Sequence, residues 1–442
     1  MKSVLVIGAG RSASSLIRYL LVHSSAEDWK ITVADMSLKL AQQKVEGYPN
    51  ARAILFDAND SVLREKEIQS ADIVVSMLPA FMHMFIAKDC LKFKKHLVTA
   101  SYASKEIAAM DAEVKQNDLI FLNEMGLDPG IDHMSAMQVI HRIKGTGGEL
   151  TSFKSYCGGL IAPESNDNPW EYKFTWNPRN VVLAGQGTAQ YIENGNYKYI
   201  PYNRIFTQIE TVSVDGHGKF DAYANRDSLS YRKPYGLENI PTMLRGTLRG
   251  QGYCKAWNVF VQLGLTDDTY KIVDCNKMTY AQLIDAFLPA SSSGSLKQRL
   301  AHFMNEDENS EVVKKIEWLG VFENEKIKLT DSSPAQILQE LLERKWKLKE
   351  EDKDMIVMTH IFSYKLNNKN KIITSSLVVK GTDQTYTAMA QTVGLPMAIA
   401  VKMILKGQLK SRGVIIPVEK EIYEPILKEL ESLGVKFHEK ES

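Results

Sequence analysis

The sequence predicts an α/β protein: an N-terminal doubly wound parallel sheet of the Rossmann type, followed by an α+β domain with a helical insert. Three observations carry this expectation. Six short apolar runs alternate with helical stretches over roughly the first 125 residues, the size of one dinucleotide-binding domain. A glycine loop, Gly8-x-Gly10-x-x-Ala13, joins the first run to the first helix. Beyond residue 150 the texture changes to short strands rich in aromatics, asparagines and arginines.

The runs are "SVLVI" (3–7), "ITVAD" (31–35), "AILFD" (53–57), "DIVVSML" (72–78), "HLVTAS" (96–101) and "DLIFLNEMG" (118–126). Nearly unbroken apolar runs suit strands buried on both faces by crossover helices, the first of which is expected over about 14–22. "DPGIDHMSAMQVIHRIKG" predicts a helix starting from a turn-rich junction. Residues 278–348 read as mostly helical, and 356–380 as a hairpin turning at "NNKNK". "TAMAQTVGLPMAIAVKMIL" reads as a buried helix rich in small residues, apolar around most of its circumference, which should return to the first domain. The expected division is therefore 1–127 plus 384–442 for the dinucleotide domain and 128–383 for the second, with its insert at 278–348.

Bulk properties narrow the function. The chain has 442 residues, with 54 basic against 53 acidic side chains and a net charge of +1. Such balance offers no field to draw nucleic acid or an anionic membrane. We read no apolar run as reaching the ~18 residues of a membrane span. The N-terminal "MKSVLVIGAGRS" is too short for a signal core and flows into the glycine loop. The four cysteines form no CxxC pair, which fits a reducing cytoplasm. A small-molecule substrate is expected.

In the glycine loop, Gly8 and Gly10 permit a tight turn and close approach of the backbone to pyrophosphate, at the positive end of a helix. Arg11, Ser12 and Ala13 complete that turn. Asp35 ends the second run, where a carboxylate can accept from the adenosine ribose hydroxyls. Asp57 ends the third, and "SMLPA" (76–80) puts Leu78 and Pro79 at the crevice as a cofactor wall. A 2′-phosphate would meet Asp35 as a like charge, and Met36 and Ser37 supply no clamp. NAD is therefore expected over NADP, with Arg11 as the residue able to offset the repulsion.

At the junction, "NEMGLDPGIDHM" (123–134) crowds three acids, two glycines, a proline and a histidine into twelve positions. A plain connection needs one or two turn residues, so this loop is expected to handle a ligand. Asp132 and His133 are adjacent and diverge by about 100° on a helix, so with Asp128 they make a poor metal cage. No metal is expected. Asp128, held before Pro129-Gly130, can orient an amine or accept its proton. Cys157 precedes Gly158-Gly159 without a flanking cation, and by itself reads as a buried strand-end thiol. "NRDSLSYRKPYG" and "MLRGTLRGQGY" place Arg226, Arg232, Arg245 and Arg249 beside glycines and hydroxyls. Two such turns suit a substrate with several carboxylates.

"GLDPGIDH", "SYCGGLIAPE", "YKFTW", "NRDS" and "RGTLR", in that order, resemble the L-glutamate-forming saccharopine dehydrogenases, or saccharopine reductases. The likeness runs from the glycine loop through "TAMAQTVGLPMAIA" and "IYEPIL". It implies reversible, NAD(P)-dependent oxidation of L-saccharopine to L-glutamate and L-2-aminoadipate 6-semialdehyde in lysine metabolism. It also implies a homodimer built through the second, substrate-binding domain. Ser101, Tyr102, Asp128, Arg226, Thr247, Leu248 and Arg249 match substrate-binding segments, and Tyr102, Asp128 and Cys157 resemble the groups near the reacting imine. Lys173 is a second candidate for handling the proton. Two alternatives stay open at this point: a related semialdehyde–amine condensing enzyme such as a carboxynorspermidine-type synthase, and a non-catalytic binding protein of the same superfamily.

Overall fold

The computed structural model describes residues 1–290 and 293–442, in two compact units. The first comprises Met1–Leu150, Pro234–Gly236 and Phe362–Ser442, the second Thr151–Lys233 and Leu237–Ile361. The first unit opens with β1 (Lys2–Ile7), α1 (Ser14–Ser24), β2 (Trp29–Asp35), α2 (Leu38–Val45), β3 (Ala51–Leu55), α3 (Ser61–Gln69) and β4 (Ile73–Ser76). It continues with α4 (His83–Lys92), β5 (His96–Thr99), α5 (Lys105–Ala108), α6 (Asp111–Gln116), β6 (Ile120–Leu122) and α7 (Ile131–Gly145). All six expected strands form. β5 and β6 stop short of their apolar runs, where irregular bonds replace the parallel ladder: Met125 N donates to Thr99 O at 3.0 Å, and Glu124 N to Ser101 O at 3.1 Å.

The second unit contains most of β7 (Glu149–Ile161), then α8 (Pro178–Val182), β8 (Ala189–Glu193), β9 (Asn196–Ile200), β10 (Ile209–Val214), β11 (Gly218–Ala224), β12 (Thr242–Arg249) and α9 (Tyr253–Leu263). The helical insert follows as α10 (Tyr280–Phe287), α11 (Leu296–Phe303), α12 (Glu311–Trp318) and α13 (Pro334–Lys345). Three of these helices start with reciprocal caps: Thr279 with Gln282, Ser295 with Gln298, and Ser333 with Gln336. Each pair satisfies two backbone donors that a helix start leaves open. β13 (Asp354–Leu366) lies beyond β7 in the order β10–β11–β12–β7–β13. The unit's core is aromatic, with Trp170, Tyr172, Trp257 and Trp346 almost fully buried.

Back in the first unit come β14 (Lys369–Lys380), α14 (Ala388–Leu405), β15 (Gly413–Ile415), α15 (Lys420–Ser432) and β16 (Phe437–Glu441). The turn before β14 uses Asn367 and Asn368, at φ +50° and +61°, the left-handed pair that a two-residue hairpin favours. The parallel sheet runs β15–β6–β5–β4–β1–β2–β3, with its topological switch between β1 and β4. Ligands in such sheets sit outside the carboxyl ends of the strands at that switch.

Two boundaries differ from those expected from the sequence. The first unit extends through α7 to Leu150, because α7 packs on α15 and His141 Nδ1 lies 2.8 Å from Tyr423 Oη. The return begins at Phe362, not at 384. α14 also corrects the membrane count, for by length and composition it is apolar enough to cross a bilayer. Gln391, Thr392 and Lys402 break it up when it is read as an uninterrupted run. As 78% of it is buried, it serves as a core helix.

α14 packs directly on α1, and Gly394 makes that approach feasible. A Cβ there would lie 2.7 Å from Leu16 N and 3.1 Å from Leu16 Cβ. Gly394→Val is therefore expected to lower unfolding free energy by about 1–3 kcal/mol, as overpacked cores do. Urea unfolding of both proteins measures this, and unchanged stability would contradict the close helix contact.

Candidate active site

At the carboxyl edge of the parallel sheet, Gly8 adopts φ +106°, and a Cβ would come within 3.1 Å of the Met77 carbonyl oxygen. Gly10 is the opposite case: a Cβ there would meet nothing within 4 Å. Its lack of a side chain thus keeps open space over the start of the helix, and a pyrophosphate fits that cradle. Asp35 braces the loop from below. Its Oδ2 accepts from Ala9 N and its Oδ1 from Ser37 N, each at 2.7 Å. Ala13 is buried, Ser12 half-buried and Arg11 exposed. Asp57 is exposed and accepts from Asn59 N and Nδ2 at 2.9 Å, closing a local turn. Leu78 and Pro79 follow β4 on the same edge, Leu78 half-buried and Pro79 exposed.

The next loops bring together two of the expected residues. Tyr102 Oη donates to Asp128 Oδ1 at 3.2 Å. The segment holding Asp128 is fixed by its own backbone: Gly126 N donates to Pro129 O at 2.9 Å, and Asp132 N to Leu127 O at 3.0 Å. Gly130 has φ +148°, and a Cβ there would fall 2.0 Å from the Gly126 oxygen, so only glycine fits. Asp132 Oδ1 accepts from Gly130 N at 2.6 Å, a local bond at the start of α7.

Glu124, His133 and Tyr235 form a buried chain that the sequence did not reveal. Tyr235 Oη lies 2.5 Å from His133 Nδ1, and His133 Nε2 lies 2.8 Å from Glu124 Oε2. The other carboxylate oxygen of Glu124 accepts from Ala103 N at 3.2 Å, next to Tyr102. His83 was missed as well. Burial alone lowers its pKa from 6.5 to about 4, which keeps the ring neutral at ordinary pH. Glu124, His133 and Tyr235 lie within the turn-rich segments singled out above, but their pairing depends on partners from other loops, and no motif marks His83.

In the second unit, Thr247, Leu248 and Arg249 end β12, and Cys157 on β7 stands opposite Thr247. Arg249 is only 5% exposed. Its guanidinium lies over the rings of Tyr172 and Tyr253, 5.4 and 5.5 Å from their centres, and Nη1 donates to Leu248 O at 3.0 Å. Its Nε is buried and has no hydrogen-bond partner among the described residues. A buried donor left in that state suits an incoming carboxylate. Leu248 is fully buried in the core, so it can offer a ligand only its backbone. Gly158 faces it closely, where a Cβ would lie 2.5 Å from the Leu248 oxygen. Arg226 sits exposed after β11, in contrast to Arg249. Arg245 is buried against Tyr231, 4.3 Å from its ring centre, and Cys157 is a buried thiol.

Lys173 lies in an ion-pair network instead of standing ready to handle a proton. Its Nζ is 2.6 Å from Asp352 and 2.9 Å from Asp167, with the side chain 1% exposed. Burial works against a charged Asp167, but hydrogen bonds from Lys349 and Lys173 prevail and hold its carboxyl at about 2.

A Rossmann sheet with an open glycine cradle, in a chain that also carries an α+β unit, defines the class: a pyridine-nucleotide-binding protein. Comparison with known families makes this specific. Residues 4–122 match the saccharopine dehydrogenase NADP binding domain, and residues 126–435 match the saccharopine dehydrogenase C-terminal domain. The chain belongs to the saccharopine dehydrogenase family. It is 31% identical over 448 residues, 99% of both chains, to the saccharopine dehydrogenase [NADP(+), L-glutamate-forming] of Schizosaccharomyces pombe. It is 36% identical to the mitochondrial alpha-aminoadipic semialdehyde synthase of Rattus norvegicus, covering 99% of this chain but 47% of that longer protein. The apo L-Glu-forming saccharopine dehydrogenase of Saccharomyces cerevisiae superposes with a TM-score of 0.89 over 100% of both chains, at 32% identity.

Lys173→Met gives the test of its structural role. Removing one partner leaves buried Asp352 without its cation, which should lower stability by about 3 kcal/mol. Chemical unfolding of wild type and variant measures this, and equal stabilities would return Lys173 to the list of reactive groups.

Proposed function

We propose that this protein catalyses the reversible, pyridine-nucleotide-dependent oxidation of L-saccharopine to L-glutamate and L-2-aminoadipate 6-semialdehyde. The observation that carries the reading is the full-length likeness to L-glutamate-forming saccharopine dehydrogenases, 99% of both chains for the Schizosaccharomyces pombe enzyme. Gly8, Gly10 and the start of α1 would hold the nucleotide pyrophosphate, with Leu78 and Pro79 beside it. When bound, the nucleotide supplies the acceptor for hydride from the carbon beside the secondary amine. Asp128, with Tyr102 hydrogen-bonded to it, takes the amine proton and returns one as water adds to the imine and the carbinolamine expels glutamate. Arg249 binds a substrate carboxylate through its buried guanidinium, with Thr247 beside it. Arg226, being exposed, contributes a second and weaker cation. The reading includes a cytoplasmic homodimer, supported by the family resemblance and by the cysteine usage.

We further infer a preference for NAD. Asp35 ends β2 with a carboxylate, and Met36 and Ser37 provide no counter-charge for a 2′-phosphate. The named fungal relatives are NADP(+) enzymes, so this inference rests on Asp35 alone. One assay addresses both statements. With saccharopine, either nucleotide should be reduced, glutamate should be the amino-acid product, and NAD should give the higher kcat/KM. No reduction, or lysine as product, would overturn the reaction; a higher kcat/KM with NADP would overturn only the preference.

A further inference from the structure

His83 begins α4 and is 2% exposed, and the proposed reaction assigns it no role. Its two ring nitrogens face hydroxyls at the carboxyl ends of neighbouring strands. Nδ1 lies 2.8 Å from Ser76 Oγ, at the end of β4. Nε2 lies 2.7 Å from Ser101 Oγ and 3.3 Å from Thr99 Oγ1, at the end of β5. A surface histidine would be solvated by water; this one spans the edge just below the loops that carry Leu78, Pro79, Ser101 and Tyr102.

A neutral imidazole has one donor nitrogen and one acceptor. The two tautomers therefore give Ser101 opposite characters. If Nε2 carries the hydrogen, it donates to Ser101 Oγ, and the single hydroxyl hydrogen of Ser101 is left to donate onward. If Nδ1 carries it, the Ser101 hydroxyl is spent on the ring and only its lone pairs face a ligand. Thr99 Oγ1 already accepts from Ser101 N at 3.3 Å, and an Nε2–H shared between that oxygen and Ser101 Oγ ties the whole turn to the ring. A saccharopine carboxylate needs a donor.

We propose that His83 is a positioning residue, held as the Nε2–H tautomer by Ser76, that fixes Ser101 as a hydrogen-bond donor to a carboxylate of the substrate. The inference rests on the saccharopine reading only for what Ser101 meets; the tautomer stands independently of it. Because Ser76 closes β4, the same bridge ties the strand end that precedes the cofactor wall to the loop that meets the substrate.

Two measurements test it. With ¹⁵N-labelled histidine and His83→Gln for assignment, NMR should show His83 neutral with Nε2 protonated at pH 7; an Nδ1–H ring would overturn the proposal whatever the protein's substrate. In steady-state assays, His83→Leu should lower kcat/KM for saccharopine by about 10- to 100-fold, the range for losing one buried hydrogen bond. The KM of the nucleotide should stay near wild type. His83→Gln keeps an N–H near Ser101 and should recover most of the loss, and adding Ser101→Ala to His83→Leu should remove little more. Wild-type saccharopine kinetics in His83→Leu, or additive losses in the double variant, would overturn the role. Should His83→Leu not fold, Ser76→Ala replaces it: the loss it causes should vanish in a Ser101→Ala background, and persistence there would overturn the coupling. If the wild type does not turn over saccharopine, the functional reading falls, and the NMR result still decides the tautomer.

Discussion

The loop beyond β6 is buried from Asn123 to Leu127, and buried polar groups must find partners. That constraint shapes the candidate site. Glu124 is 4% exposed and sits at φ +58°, a left-handed conformation uncommon for a residue with a side chain. Its carboxylate joins Ala103 N to His133, and His133 joins it to Tyr235. In a low-dielectric interior such a chain stabilises only when every member is satisfied; one missing partner turns it into a liability. The result is a backbone around Tyr102 and Asp128 held by hydrogen bonds of its own, and under the proposed function such a backbone spares those two groups reorganisation on meeting an amine.

Asp35 has a structural task in the glycine loop beside the ligand contact proposed for it. Both of its oxygens accept backbone hydrogen bonds, one from the glycine loop and one from the turn that starts α2. A carboxylate has further lone pairs, so this bracing leaves capacity for ribose hydroxyls. Replacing Asp35 by a residue without a carboxylate therefore removes two hydrogen bonds that hold the glycine loop and the turn into α2, as well as a charge. Arg249 shows the complementary logic in the second unit, where tyrosine rings shield a cation whose remaining donor awaits a partner.

Local patterns in the sequence revealed the elements well. Apolar runs marked β1 to β6, the glycine loop marked the start of the Rossmann unit, and small residues marked α14. The caps Thr279–Gln282, Ser295–Gln298 and Ser333–Gln336 are equally local signals. What stayed hidden was nonlocal. α7 looks like any helix until α15 packs on it from some 280 residues away, as in the contact between His141 and Tyr423. Lys173 looks reactive until Asp352 is placed 2.6 Å from it. Arg226 and Arg249 occupy similar turns in the sequence, and only folding buries one and exposes the other. Tyr102 and Asp128 could be matched to family segments, but the hydrogen bond between them depends on how two loops end at one sheet edge.

The central claim is that Tyr102 and Asp128 act as one unit. A double-mutant cycle on kcat/KM for saccharopine, using Tyr102→Phe, Asp128→Asn and both together, tests it most directly. Groups that share one hydrogen bond and one proton should be non-additive, so the double variant should lose little more than the worse single one. Losses that sum to within about 0.5 kcal/mol would mean independent action and would contradict the account.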